Sequence, residues 1–147
     1  CPRLRLILAG EGANWEACKN LALDLGLEGK VDFPGYVGQM EDWYPICDIA
    51  VSTSLSEGLP FNIMEAMACG LPVAASRVKG HEDLVEDGVN GLLFTSGGAG
   101  QLADCLKRLY EEETLRESMG KAGREKVRAY ALDEVFPEIM KIYGAVL

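Results

Sequence analysis

Short apolar runs that alternate with longer helical stretches restrict the fold of this chain more than any other feature. Such runs are typical of strands buried on both faces of a sheet, and the segments between them are long enough for crossover helices. Short buried strands joined by helices imply a parallel sheet with both faces covered. The sequence therefore predicts an α/β fold with a doubly wound, Rossmann-like parallel sheet. The predicted strands span residues 4–10, 31–35, 48–54, 71–76 and 90–94.

Apolar residues at helical spacing mark the segments between these strands. A first helix is predicted over residues 14–26, with Gly26 as its cap. Pro45 limits residues 39–47 to a short helix at most. Another helix is predicted over residues 60–69. Strands and helices thus alternate as a doubly wound sheet requires.

The chain becomes entirely helical after its last predicted strand. A Gly-rich joint at residues 95–100 is followed by three predicted amphipathic helices. Asp133 is expected to cap the last of them, which would leave Pro137 in its first turn. We therefore divide the chain into a Rossmann-like core, residues 1–94, and C-terminal helices, residues 99–147.

The charge balance limits the classes of partner. The chain of 147 residues has 14 basic and 23 acidic side chains, for a net charge of −9 at pH 7. This argues against nucleic acid or anionic lipid as a partner, because both attract basic surfaces. A small anionic ligand in one local pocket remains compatible with it. No apolar run approaches the ~18 residues of a membrane-spanning helix, so no direct membrane insertion is expected.

The cysteines give no sign of a metal site or a disulfide framework. There are five of them, scattered along the chain without a C-x-x-C pair, and only one histidine accompanies them. This set offers little to zinc, so no metal is predicted. We expect reduced, mostly buried thiols in a cytoplasmic protein.

Three loops lie where a doubly wound sheet binds ligands, beyond the carboxyl ends of its strands. In the first, Gly10 and Gly12 begin a dinucleotide fingerprint, but Trp15 stands where the third glycine belongs. This loop is therefore either a tight turn or a phosphate loop. In the second, residues 34–38, glycines flank Tyr36 and Val37. This loop is either an ordinary turn or backbone open to a flat heterocycle.

The third loop, "SEGLPFNIMEAMACG" at residues 56–70, contains the most chemistry. Its glycine and proline make a tight turn, with Pro60 suited to the first helical position. The free amides of Phe61, Asn62 and Ile63 would then form an anion site at the helix start.

Glu57 and Glu65 would bracket this anion site at different depths. One interpretation makes Glu57 a partner of the helix dipole and Glu65 a surface residue. The other uses a carboxylate to bind a vicinal diol, such as a ribose. The apolar residues around Glu65 favour the second interpretation.

The stretch resembles the signature of retaining glycosyltransferases of family 4, which have the GT-B fold. Glu57 and Glu65 supply its E-x7-E spacing. The resemblance covers residues 4–94 and is closest to bacterial exopolysaccharide and capsule enzymes, whose loop reads E-G-L-P. It continues in order through "LILAGEG", "VDFPGYV", "WYPICDIAVSTSLSEGLP", "IMEAMACGLPVAAS" and "KGHEDLVEDGVNGLLF".

The resemblance implies the lobe that binds a nucleotide-diphosphate sugar as donor substrate, with no other cofactor and no metal. In such enzymes the residue matching Glu65 holds the ribose hydroxyls, and the one matching Glu57, the catalytic candidate, meets the transferred sugar. Backbone at Val37 would hold the nucleobase. The segment after Glu57 is implied to contact sugar hydroxyls and diphosphate: Gly58, Leu59, Pro60, Phe61 and Asn62.

The chain also departs from the family pattern. The family's donor lobe starts earlier, with a strand and a G-R…K segment that clamps the diphosphate, and no such segment precedes Cys1. The acceptor-binding lobe, which would meet a carbohydrate or lipid-linked acceptor, is absent too. We therefore expect a fragment that is inactive alone, from an enzyme of polysaccharide biosynthesis at the inner membrane face. His81 is expected to lie in a loop and not to be catalytic. It would be either exposed to solvent or at the edge of the donor site.

Two alternatives remain at this stage. One is a non-catalytic nucleotide-binding module that keeps the fold, and the other is a GT-B nucleotide-sugar epimerase. The intact pair of Glu57 and Glu65 argues against the first. The second lacks candidate catalytic groups, since His81 is the single histidine.

Overall fold

The structure, a computed structural model, describes residues 3–144. They form two compact units, one ending at Asp42 and the other beginning at Trp43. The first unit contains β1 (Leu6–Ala9), α1 (Trp15–Asp24) and β2 (Val31–Gly35). The second contains β3 (Ala50–Ser52), α2 (Phe61–Ala68), β4 (Val73–Ser76), α3 (Lys79–Leu84), β5 (Gly91–Phe94), α4 (Ala99–Glu111), α5 (Glu113–Val127) and α6 (Leu132–Gly144). Short 3₁₀ turns lie at Met40–Asp42, Tyr44–Ile46 and Arg128–Tyr130.

Every strand pair in the described chain is parallel. β1 pairs with β2 in the first unit, and β3, β4 and β5 form a three-stranded sheet in the second, with β4 in the middle. A helix or helical segment separates each strand from the next. The predicted α/β fold with parallel strands is confirmed.

β4 is the centre of the second unit and is buried on both faces. Val73 and Ala75 contact one apolar cluster, which includes Ile63 and Met67 of α2. Ala74, between them, contacts a second cluster on the opposite face. That cluster includes Leu92, Leu109 of α4 and Met119 of α5. Because strand side chains alternate between faces, this central strand needs helices on both sides, as the sequence predicted.

β1 differs from the prediction of a fully buried strand. Leu6 is 39% exposed and Leu8 is 38% exposed. Within the described part of the first unit, β1 pairs with β2 alone, and α1 contributes Ala22 as its one buried residue. Arg5 instead forms an exposed ion pair with Asp32 of β2, with 3.0 Å between Nη2 and Oδ2.

The thiols are free but not mostly buried, so that part of the prediction is wrong. Cys18 and Cys69 are exposed, while Cys47 and Cys105 are half-buried. Both half-buried thiols have a raised pKa, mainly because burial disfavours the thiolate. Cys1 lies outside the described residues.

The three C-terminal helices are confirmed, but the last begins differently from the prediction. α6 starts at Leu132, so Asp133 lies in the first turn rather than at the cap. Pro137 lies inside the helix. The carbonyl of Ala131 accepts hydrogen bonds from the amides of Glu134 and Val135, which places the helix start earlier than Asp133 would. None of the helices within residues 3–144 is long and apolar enough to cross a membrane.

Gly120→Ala should destabilise the second unit, because α5 passes very close to the turn after α2. A Cβ at Gly120 would lie 1.9 Å from the carbonyl oxygen of Gly70. Overpacking of this kind lowers the free energy of unfolding by about 1–3 kcal/mol. Urea denaturation followed by circular dichroism measures the change.

Gly100→Ala in α4 is the matched control, since nothing lies within 4 Å of a Cβ there. Helix propensity alone predicts that this variant is as stable as the unchanged protein or more so, by up to ~1 kcal/mol. Equal midpoints for the two variants would contradict the close contact between α5 and Gly70.

Candidate functional site

The loop between β3 and α2 lies at the carboxyl end of the three-stranded sheet. Ser76, the last residue of β4, donates a hydrogen bond from Oγ to the carbonyl of Ser54, at 2.6 Å. Ser76 is fully buried. This bond ties the start of the loop to the neighbouring strand.

The next part of the loop lies against the start of α3. A Cβ at Gly80 would be 2.6 Å from the carbonyl oxygen of Gly58 and 2.9 Å from that of Glu57. No side chain fits between these backbones, so glycine is required by space at position 80. The backbone of Glu57, the predicted catalytic residue, therefore packs directly against the start of α3.

The two predicted carboxylates lie on neighbouring elements of the second unit. Glu57 is half-buried in the loop, while Glu65 is exposed on α2. The apolar neighbours of Glu65 face the other way, since Ile63, Ala66 and Met67 are buried. Glu65 is thus on the solvent-exposed face of a helix whose opposite face forms the core.

The start of α2 offers fewer free amides than the sequence predicted. Pro60 is the N-cap rather than the first helical residue, and its carbonyl accepts hydrogen bonds from the amides of Ile63 and Met64. The amide of Ile63 is therefore not free. Among the described residues, no acceptor is found for the amides of Phe61 and Asn62. These two remain available to an anion.

Tyr44 is the partner of Glu65, and the sequence analysis did not identify it. Its hydroxyl lies 3.0 Å from Glu65 Oε2 and 3.1 Å from the carbonyl oxygen of Asn62. The side chain is 8% exposed. Burial raises the pKa of Tyr44 above its ordinary value, and the hydrogen bond and negative charge of Glu65 raise it further. Tyr44 therefore stays protonated, and its hydroxyl acts as a hydrogen-bond donor.

His81 is neither in a loop nor exposed, so the predicted loop position and the solvent-exposed role are wrong, while a donor-edge role stays a prediction. It lies in α3 with 0% exposure. Nδ1 is 2.7 Å from the carbonyl oxygen of Ser76, so it donates a hydrogen bond to that oxygen. Nε2 is buried and has no partner among the described residues.

The first glycine loop contains a turn, closed by the hydrogen bond from the amide of Trp15 to the carbonyl of Gly12, whereas the second follows directly on β2 without such a turn. Gly10 has φ of +120° and donates its amide hydrogen bond to the carbonyl of Gly35, which has φ of +77°. Tyr36 is exposed and its amide donates to Glu11 Oε1 at 3.4 Å. Val37 is half-buried. Its contact with a nucleobase stays a prediction.

The described residues include no group of three or more histidine, cysteine or acidic side chains placed to hold a metal ion.

Comparison with known families identifies the chain's relatives. Residues 1–126 match the family described as "Glycosyl transferases group 1". The chain belongs to this family. The protein EpsD of Bacillus subtilis (strain 168) is 33% identical over 144 residues, which cover 98% of this chain and 38% of EpsD.

Two further relatives extend the comparison. The lipopolysaccharide core biosynthesis glycosyltransferase LpsE of Rhizobium meliloti (strain 1021) is 32% identical, over 84% of this chain and 36% of LpsE. HepE of Anabaena, solved in complex with UDP, superposes with a TM-score of 0.91 at 28% identity, over 99% of this chain and 42% of HepE. The chain thus spans about two fifths of the length of these relatives.

Sequence reasoning found the two carboxylates of this group 1 glycosyltransferase chain but missed the residues that hold them. Tyr44, Ser76 and Gly80 support Glu65 and the Glu57 loop. Tyr44 is followed by Pro45 in a short turn, which gave no local signal for a partner on α2. Ser76 is the last residue of β4, a strand that the sequence predicted to be buried, so a polar side chain at that position was the available sign of a hydrogen-bond partner.

Gly80→Ala should displace the Glu57 loop. The added Cβ would meet backbone atoms of Glu57 and Gly58, and relief of that contact requires the loop to move. We expect the free energy of unfolding to fall by about 1–3 kcal/mol. Amide shifts of residues 57–59, 61 and 62 should change with it in NMR spectra.

Gly58→Ala is the control for the same contact, because a Cβ at Gly58 has no neighbour within 4 Å. Its stability should stay within about 0.5 kcal/mol of the unchanged protein. If the stability of Gly80→Ala also stays within that range, the Glu57 loop does not pack closely against α3.

The free energy of unfolding should fall less steeply at alkaline pH in Tyr44→Phe than in the unchanged protein. Because the pKa of Tyr44 is raised in the folded state from an ordinary value of 10.0, the folded chain keeps a proton that the unfolded chain loses above that pH. The contribution of this proton to the free energy of unfolding is fully present below pH ~10. It is lost as the pH rises further, by at most about 1.4 kcal/mol per pH unit. Urea denaturation at pH 8.5 to 11 compares the variant with the unchanged protein.

Tyr143→Phe provides the reference, because the Tyr143 side chain is exposed on α6. It should leave the alkaline loss of stability unchanged. If the free energy of unfolding falls equally with pH in Tyr44→Phe and in the unchanged protein, Tyr44 is not buried and protonated in the folded chain.

Proposed function

We propose that this chain is the nucleotide-sugar donor-binding part of a retaining glycosyltransferase of family 4. The observation that carries the proposal is the position of Glu57 and Glu65. They lie on the loop and helix that follow β3, at the edge of a parallel sheet where ligands bind. HepE, solved with UDP and with UDP-glucose, supports a nucleotide diphosphate as the common part of the ligand.

Each polar group of the site has a proposed role. Glu65, exposed on α2, accepts hydrogen bonds from the ribose hydroxyls. The amides of Phe61 and Asn62, at the start of α2, contact the diphosphate, where the helix dipole favours negative charge. Glu57 meets the transferred sugar as the catalytic group. The same amides stabilise the leaving diphosphate as charge develops on it.

The backbone completes the proposed contacts. The segment with Gly58, Leu59 and Pro60 faces the sugar hydroxyls, and Gly80 beneath it sets the position of this backbone. Val37 is proposed to hold the nucleobase through its backbone.

The wider activity is proposed from the family. We infer transfer of the sugar with retention, without a metal, to a carbohydrate or lipid-linked acceptor in polysaccharide biosynthesis. The name of the Rhizobium relative, a lipopolysaccharide core biosynthesis enzyme, supports that role. We place the enzyme in the cytoplasm. Cleavage of the bond between sugar and diphosphate would transfer the sugar to an acceptor hydroxyl and release the nucleoside diphosphate.

Titration with UDP, GDP and ADP, followed by amide shifts, tests the nucleotide site. One of the three should give saturable shifts at residues 57–65. Glu65→Ala should weaken that binding by about tenfold or more, because hydrogen bonds to a charged carboxylate are lost. The Tyr44 hydroxyl keeps the carbonyl of Asn62 as an acceptor in this variant, so the fold should survive.

Glu117→Ala is the matched control, an exposed carboxylate on α5. It should bind the nucleotide as the unchanged protein does. Equal affinity of both variants would argue against Glu65 as the ribose ligand. No shifts with any of the three nucleotides would contradict nucleotide binding by this chain.

A further inference from the structure

The contact between Tyr44 and Glu65 joins two positions 21 residues apart. Tyr44 begins a 3₁₀ turn with Pro45, and the amide of Cys47 donates to the carbonyl of Tyr44 to close that turn. The buried ring is thus fixed by its backbone as well as by its surroundings. Its hydroxyl presents a rigid hydrogen-bond donor to a flexible side chain on α2.

The hydroxyl has one proton and two acceptors within reach. Glu65 Oε2 is at 3.0 Å and the carbonyl oxygen of Asn62 at 3.1 Å. A hydrogen bond to an ionised carboxylate is roughly twice as strong as one between neutral groups, so the Tyr44 hydroxyl donates to Glu65 rather than to the carbonyl of Asn62. This bond occupies Oε2. Among residues 3–144, no partner is found for Oε1.

We propose that Tyr44 is a positioning residue that fixes the Glu65 carboxylate for recognition of a ribose diol. The inference rests on the proposed function, in which Glu65 binds the ribose. By holding Oε2, Tyr44 selects one rotamer of an exposed side chain before the ligand arrives. Oε1 and the remaining lone pair of Oε2 then accept from the two ribose hydroxyls.

The energetic reason is pre-organisation. Ordering a long exposed side chain at the moment of binding weakens affinity, and a side chain that is already held avoids this loss. The pKa of Tyr44 is raised above its ordinary value of 10.0, mainly by burial, so the hydroxyl is protonated at neutral pH. Removing the hydroxyl should weaken binding of the ribose ligand by about three- to tenfold.

The test is the preference for a ribose over a sugar without the diol. The nucleotide of UDP, GDP and ADP that binds best is compared with its 2′,3′-dideoxy counterpart by calorimetry. The unchanged protein should prefer the ribose form, and Glu65→Ala should abolish the preference. Tyr44→Phe should reduce the preference about three- to tenfold while leaving the affinity for the dideoxy form unchanged. In Glu65→Ala, adding Tyr44→Phe should change nothing further.

Tyr143→Phe is the control, an exposed tyrosine on α6 that should keep the full preference. A preference in Tyr44→Phe equal to that of the unchanged protein would overturn the inference. So would equal weakening of both ligands, since that is the mark of general structural damage. If the unchanged protein binds both forms equally, or binds no nucleotide, the proposed role of Glu65 fails first, and the inference fails with it.

A second measurement keeps the test valid if Tyr44→Phe does not give a native amide spectrum. In the unchanged protein, the side-chain carboxyl carbon of Glu65 and the ring signals of Tyr44 are followed by NMR. Both should shift on addition of the ribose nucleotide and much less with the dideoxy form. Equal shifts with the two ligands would overturn the inference.

Discussion

Burial of β4 on both faces is the constraint on which the second unit depends. Val73, Ala74 and Ala75 are fully buried, and alternate side chains of this one strand enter two different apolar clusters. Such a strand can exist only between two layers of helices. Accordingly α2 and α3 contribute to the cluster on one face, α4 contributes to the cluster on the other, and α5 contributes to both through Val127 and Met119. The carboxyl end of the strand is fixed by the same contacts that form the core.

Hydrogen bonds to the end of β4 fix the backbone of the candidate site. Ser76 is both the last residue of β4 and the hydrogen-bond partner of Ser54 and His81. The polar contacts of one buried residue thus hold the loop on one side and α3 on the other. Buried polar groups of this kind require partners, and the loop backbone supplies them. A catalytic carboxylate on this loop would be held by the core rather than by the surface.

Local sequence was sufficient for the five strands, for most of the helices and for the positions of the two carboxylates, but not for α3 or for the partners of those carboxylates. The apolar runs predicted the strands because burial on two faces leaves a continuous apolar signal, which β4 shows. Glu57 and Glu65 were visible because charges stand out in an apolar stretch. Tyr44 was not, because a tyrosine before a proline has many ordinary explanations. The exposure of β1 was missed because an apolar run does not report how many neighbours a strand acquires.

The sequence by itself determined the order of the five strands, their parallel arrangement and the group 1 glycosyltransferase family, because these follow from periodic burial and from motifs that are contiguous in the chain. Tertiary structure alone decided that Tyr44 meets Glu65, that His81 is buried and that Gly80 lies beneath Gly58. These contacts join residues that are distant along the chain. They depend on how closely backbones approach one another, and no local pattern encodes that distance.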